Sequence, residues 1–450
     1  MKKLVFLSIL MLCLTSAKPQ FVNKPITFPG QEYWAFFMSA PDTSTVWVGV
    51  DNLNGGSSSY GSYSNAIKSG DGGNTWQFSP LSDTGTVIIC SVCAINANTC
   101  FYVNWNGNGN IWKTSDGGAT WTRKTTTQYI GGWADFYHAF SADTGIVVGD
   151  PHGGYWEIYL TSDGGETWTR VPSANIPVII SGEYGFSSHY SAISNIVWFA
   201  SNKGRCFKSV DRGLHWTVKA IPGNWVDPNV CFVDTLRGVF WEPINIFKKS
   251  TSTYNNYYAT TDGGLTWTMK SLPQNYAIQC FSRVPGVDGG MIVAAFDSSH
   301  HDYTTVLFTS DFFNTFRVVQ TGLSSDGGGN FLNSRSGWLS GDGNRNSSIY
   351  KLTTNLVSGI AGPGGNQVQL QVNPNPSSAE AILNIPVAIS RSALLLKVID
   401  ITGRVTEQRS VKAAVPNIQL DATKYPGGIY LITLTSDSGA TASCRWVVCH

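Results

Sequence analysis

Acidic, basic and aromatic side chains crowd one stretch of the chain: Trp133, Asp135, Asp150, His152, Tyr155, Trp156, Glu157 and Glu183. A carboxylate beside an imidazole orients the ring or raises its basicity, an arrangement suited to acid–base work. Two carboxylates at suitable separation could instead cleave a glycosidic bond, and Asp227 and Glu242 add to the pool. The aromatic rings offer flat apolar faces that stack on sugars or pack between sheets. A solvated loop in which the acids only cap turns would use the same residues. Trp133, Asp135, Asp150, His152, Glu157 and Glu183 are the candidate ligand contacts, and no spacing rule singles out a catalytic pair.

Other constellations carry less. His300-His301-Asp302 puts two adjacent imidazoles on one loop, which seldom ligate together. Asp342-Gly-Asn344-Arg-Asn346 begins like a calcium loop but has Ser347 at the glycine position and Thr353 at the closing glutamate. Cys90-x-x-Cys93 has no second pair to complete a zinc site. No phosphate-binding glycine loop or nucleophile motif is present, so neither metal nor cofactor is expected.

The scaffold must come from a chain of 450 residues with net charge +1, of which 13% are charged and 42% hydrophobic. Such a chain has no electrostatic footprint for nucleic acid, and it has ample material for a core. Its 47 Gly and its 16 Trp, 18 Tyr and 22 Phe point to an all-β protein with many tight turns. Lys2 and Lys3 precede the apolar run Leu4 to Leu14, and Thr15-Ser16-Ala17 follows, which predicts a secretory signal over 1–17. No later stretch is long and apolar enough to be expected to span a membrane. Export permits disulfides. A two-residue turn at Asn96-Ala97 would set Cys93 opposite Cys100, the one candidate bridge. Cys90, Cys231 and Cys280 read as small core residues.

The organising signal is a repeat. Ser69-Gly-Asp71-Gly-Gly73-Asn-Thr75-Trp76 returns at Asp116, Asp163, Asp211, Asp262 and Asp311, spaced 45, 47, 48, 51 and 49 residues apart. A period of roughly 40–50 residues with several short strands per unit is a propeller blade. Residues 18–355 hold about seven such periods, the last a boxless unit from Phe331 to Thr354. In blade 3 the four strands are expected at Trp133 to Ser141, Ile146 to Gly149, Ile158 to Thr161 and Thr167 to Arg170, with a loop over Asp150 to Glu157. The box then falls on the turn between the third and fourth strands. With Asp143-Thr144 as a two-residue turn, Asp135 sits opposite His152.

These boxes resemble the Asp-box, or BNR, repeat of sialidases, sortilin-type receptors and photosystem II assembly-factor-like propellers. The resemblance implies that Asp71, Asp116, Asp163, Asp211, Asp262 and Asp311 are structural. From Trp133 to Val218 it resembles more closely a subgroup labelled oxidoreductase-like or assembly-factor-like, through Asp135-Phe136, Gly149-Asp150-Pro151, Thr161-Ser-Asp-Gly-Gly, Thr169-Arg170-Val171-Pro172 and Gly182-Glu183, although no cofactor motif accompanies that label here. The arginine triad of a sialidase cannot be assembled, since only Arg205 and Arg345 fall on the expected ligand face.

Beyond a Gly- and Pro-rich linker expected over 356–367, the texture changes. Val372-Asn-Pro374-Asn-Pro376, Val398-Ile-Asp400-Ile-Thr-Gly403-Arg404, Leu420-Asp421 and Pro426-Gly-Gly428-Ile-Tyr430 follow in order. Residues 368–450 thus resemble the C-terminal sorting domain of the type IX secretion system of Gram-negative bacteria. That implies a small Ig-like β-sandwich, export across the outer membrane with the secretion machinery as partner, and release or surface attachment. The whole reads as a seven-bladed β-propeller followed by that sandwich. The expected activity is binding of an extracellular glycan or protein through loops at the channel mouth, long in blades 1 (51–65), 5 (242–256) and 6 (297–304). A glycoside hydrolase and an assembly factor for an exported complex are the alternatives.

Overall fold

Short β-branched and aromatic runs, broken by Gly, Asp and Ser, reverse the chain before a helix can propagate. The computed structural model describes residues 20–26, 33–52, 64–79, 89–104, 110–124, 133–243, 255–272, 276–297, 300–324, 328–340, 348–357, 370–385, 393–400, 404–413, 415–436 and 441–450. Residues 1–17, most of the expected long loops of blades 1 and 5, and the calcium-like segment at 342–346 lie outside them.

Seven four-stranded antiparallel sheets form the blades of a propeller in Met1–Val357. Blades 1 to 6 each use four consecutive strands, A to D. Blade 7 does not. Its strands Gly329–Asn333, Ser336–Ser340 and Ser348–Leu352 are completed by the N-terminal strand Phe21–Pro25, in register from Phe21↔Leu352 to Pro25↔Ser348. The seventh unit is therefore not self-contained, as the repeat count implied. Its third strand would expose an unpaired edge, and the N-terminal strand covers that edge and closes the ring. Gln320 of blade 6 clamps the seam, accepting from the Phe21 N–H at 2.7 Å and donating to its carbonyl at 3.2 Å.

The six boxes lie on C–D turns. In the first, Asp71 Oδ1 accepts from the N–H groups of Asn74 and Thr75, and Oδ2 from the Thr75 hydroxyl at 2.7 Å. Ser69 Oγ accepts from the Gly73 N–H and donates to Asp71. Gly72 and Gly73 both have positive φ, as do the paired glycines of the boxes in blades 2, 3 and 5, so a β-carbon there would be strained. The hydrogen bonds stabilise the ionised carboxylate: the backbone and hydroxyl of Thr75 hold Asp71 down to about 2, and those of Thr167 and Thr266 do the same for Asp163 and Asp262.

Each box is also tied to the A–B turn of its own blade. Gly72 N–H donates to Ser44, Gly117 to Asn98, Gly164 to Asp143, Arg212 to Asn195, Gly263 to Leu236 and Phe312 to Gly289. Boxes and A–B turns therefore share one face, and the B–C and D–A connections hold the other. Neighbouring blades are joined by box tryptophans: Trp121 packs edge-on to Trp47 and Tyr102 and donates to Ser79 Oγ at 2.8 Å. A strand-C lysine adds a second tie. Lys113 and Lys208 each donate to a carbonyl in the next box at 2.9 Å.

In Ser358–His450 a three-stranded sheet (Gln371–Asn373, Glu380–Asn384, Asn417–Asp421) and a four-stranded one (Leu394–Asp400, Val405–Val411, Gly428–Ser436, Thr441–Val448) share a core. Alternation puts Leu394, Leu396 and Val398 inward against Ile432, Leu434 and Trp446. Leu356, expected in the linker, is instead buried in the blade 6–7 core of the propeller.

Candidate functional site

Blade 3 corrects the expected register. Strand A is Ala134–Ala139 and strand B Gly145–His152. The A–B turn is longer than two residues, with Phe140 and Ser141 N–H groups both donating to the Thr144 carbonyl. A bulge at Asp135 follows, between the pairs Ala134↔Gly149 and Phe136↔Val148. His152 is therefore not opposite Asp135. It pairs with Tyr155 across a tight Gly153-Gly154 hairpin, so the expected loop over 150–157 is mostly strand. Both glycines have positive φ, which is what lets so short a turn form. His152 stands exposed at the hairpin tip, where its carbonyl accepts from Arg170.

The same kind of slip removes the candidate disulfide. Cys93 faces Phe101, and Cys100 faces Ala94, because the turn runs from Ile95 to Thr99. One residue of register sends the two side chains to opposite faces of the sheet, and both are free thiols. Cys90 is core, as expected, but Cys231 and Cys280 are half-buried at the central channel.

The structure brings Asp135 and Asp150 together beneath the loop that leads into blade 4. Asp150 Oδ1 accepts from the Gly185 N–H at 2.8 Å. A β-carbon on Gly185 would lie 2.1 Å from Asp135 Oδ2, so the glycine is what lets the loop seat on the acid. Asp135 is 3% exposed, and its Oδ2 has no hydrogen-bond partner among the described residues. Burial, and then the charge of Asp150, push its carboxyl well above the usual range. Burial likewise raises Asp150 to about 6.

Glu157 is 0% exposed on strand C, with the Tyr159 hydroxyl donating to it at 3.4 Å. Glu183 is buried too. Its Oε1 accepts from Ser201 Oγ at 2.6 Å, and its Oε2 from Arg205 Nη1 at 2.8 Å and the Ile180 N–H at 3.0 Å. Arg205 also donates to the Val178 carbonyl. Three of the expected ligand contacts, Asp135, Glu157 and Glu183, are thus consumed inside the protein. Sequence patterning gave no hint of Arg205 as partner, since the pair is 22 residues apart.

That buried pair holds up an apolar surface. The loop it anchors exposes Val178 (83%), Ile180 (48%) and Tyr184 (44%), and Trp133 (41%) precedes strand A on the same face. Val226 (61%), in the next D–A connection, is fixed through its N–H to Glu242 Oε2. In blade 6 the expected long loop is replaced by strand: His300–Thr309 pairs back onto Met291–Asp297.

A second feature is the central channel, a cavity of about 740 Å³ lined by the inner strands of all seven blades. It runs from Trp241 and Pro243 near the B–C face to Phe140, Ser141 and Pro285 near the boxes. None of the six expected ligand contacts lines it. Among the described residues no cluster of His, Cys, Asp and Glu could hold a metal ion, and no helix is long and apolar enough to cross a membrane.

Residues 371–448 match the secretion system C-terminal sorting domain. No curated protein matches the chain. Among solved structures, a YCF48 bound to a D1 peptide has a TM-score of 0.54 at 15% identity, covering 75% of this chain and 98% of its own. YCF48 from Cyanidioschyzon merolae scores 0.48 at 14% identity, covering 74% and 98%, and the GH74 xyloglucanase from Xanthomonas campestris 0.41 at 12%, covering 92% and 66%. The first of these likenesses shows the fold. With the seven closed sheets and the matched tail, the chain is a β-propeller that carries a type IX secretion sorting domain and is exported by that system to the cell surface or beyond.

Proposed function

We propose that the exported propeller binds an extracellular protein through the D–A loops that lead into blades 4 and 5. The observation that supports this is the set of exposed apolar side chains: Val178, Ile180 and Tyr184 on the loop anchored by the buried Glu183–Arg205 pair, Val226 on the connection held by Glu242, and Trp133 on the same face. Large apolar groups on one positioned surface favour association, because covering them removes water-exposed area without a large ordering cost. The aliphatic members favour a protein over a glycan. Trp133 and Tyr184 keep the glycan as the second reading, through stacking. A hydrolase is less well supported, since Asp135 and Glu157 are closed off from any substrate. An assembly role remains an analogy of fold. We also read the six turns as Asp-box repeats and residues 1–17 as a cleaved signal.

A photo-crosslinker placed at Ile180, and separately at Leu265 beside a box, tests the reading on whole cells. The expected result is one discrete adduct from position 180 alone. The purified partner should then bind the full mature chain at least ~10-fold more weakly when Val178→Asp and Ile180→Asp are combined. An adduct from both positions, or unchanged affinity in the folded double variant, overturns it. A glycan-array signal abolished by Trp133→Ala would move the assignment to sugar.

A further inference from the structure

The central channel has its own chemistry, independent of the loop surface. Its walls are apolar and hydroxylic: Phe37, Tyr190, Phe281 and Phe331 alternate with Ser39, Ser191 and Ser282. No Asp or Glu lines it among the described residues, whereas Arg283 does. The imidazole of His138, also on the wall, is held neutral by burial at about 4. His189 is engaged by the Pro228 carbonyl and by Asp227 at 3.3 Å.

Arg283 is unusual for its surroundings. On the same face, Arg237 is paired with both Asp234 and Asp288. Asp288 belongs to the A–B turn that follows Arg283, yet it serves Arg237. Arg283 has no carboxylate and no hydrogen-bond acceptor for its guanidinium among the described residues, although it is partly buried at the edge of the cavity. The planar fork of an arginine is matched by a carboxylate, which accepts two parallel N–H bonds. A cavity of about 740 Å³ with largely apolar walls and one arginine at its edge has the dimensions of a small-molecule pocket.

We propose that the channel is a binding site for a small organic carboxylate with an apolar body, its carboxylate on Arg283 and its body against the aromatic wall. The absence of lining acids among the described residues removes the repulsion that would otherwise exclude an anion, and the wall hydroxyls and the amide N–H groups of Asn229 and Asn330 can donate to polar substituents.

The test uses the full mature chain, with benzoate, phenylacetate and succinate as probes and benzamide as the uncharged match, titrated by calorimetry. Benzoate or phenylacetate should bind with a dissociation constant in the millimolar range or tighter, and benzamide at least ~10-fold more weakly. Arg283→Gln should abolish the difference between acid and amide, and Arg283→Lys should keep part of it. Arg123→Gln, on an exposed outer strand, should change nothing. The proposal is overturned if no carboxylate binds the unaltered chain, if benzamide binds as well as benzoate, or if a folded Arg283→Gln variant retains the preference. The acid-versus-amide comparison needs no variant, so a folding failure at position 283 leaves the test intact.

Discussion

Replacing Glu183 by Gln distinguishes a ligand contact from a structural brace. Three donors converge on that carboxylate, and both partners of the ion pair are nearly or fully withdrawn from solvent. A glutamine supplies one acceptor where two oxygens now accept, and it removes the charge that balances Arg205. The guanidinium would keep only the Val178 carbonyl. Breaking a buried pair by removing one partner typically costs ~3–5 kcal/mol. A unit of ~340 residues has an unfolding entropy near ~0.7 kcal/mol/K, so the melting midpoint should fall by ~4–7 °C. The double variant Glu183→Leu with Arg205→Met removes both charges and should recover most of the loss. Urea and thermal unfolding of both variants measure this. A Glu183→Gln variant that loses less than ~1 kcal/mol, or a double variant whose loss is the sum of those of Glu183→Leu and Arg205→Met made separately, would refute the brace and return Glu183 to the ligand.

Three further outcomes are expected. Trp121→Ala should cost ~3 kcal/mol, the low end for a large aromatic because the ring is only part-buried, read as a lowered thermal midpoint. Stability should depend on pH in two windows. Asp150 is raised to about 6, so its folded form holds a proton that the unfolded chain has lost, and stability should rise as pH falls from 7 towards 5 unless Asp150→Asn removes the effect. Asp71, Asp163 and Asp262 are depressed to about 2, so their contribution is complete above the ordinary carboxylate range and disappears as pH falls from about 4 towards 2, read by melting at stepped pH. Deleting 358–450 in the native host should leave the propeller inside the cell, and normal amounts in the medium or at the surface would count against sorting by the tail.

The channel and the loop surface are separate candidate sites in one scaffold. The inner strands that line the channel are cross-tied by short side chains, with Ser39 Oγ accepting from Ala94, Ser91 Oγ from Tyr137 and Ser191 Oγ from Phe232. Such ties fix the wall while the outer connections vary freely, which is why a propeller can carry unrelated ligands at its two ends.

The sequence by itself determined the parts of this protein that are local. A box pairs an aspartate with a hydroxyl two residues before it, in most copies with two glycines after it, and that chemistry repeats visibly at a period of about 48 residues. Blade number and the placing of boxes on C–D turns follow from it, and the type of the tail follows from its own ordered motifs between Val372 and Tyr430. Only the tertiary structure decided what depends on register and distant partners. Turns one or two residues longer than expected moved His152 away from Asp135 and Cys93 away from Cys100, since a strand shifted by one residue presents the other face. Arg205 claimed Glu183, Gly185 sealed Asp135, and Phe21–Pro25 crossed the whole length of the propeller to complete blade 7. Each of these is a contact between residues with no fixed spacing, so burial and charge balance, rather than pattern, settled which side chains are left exposed.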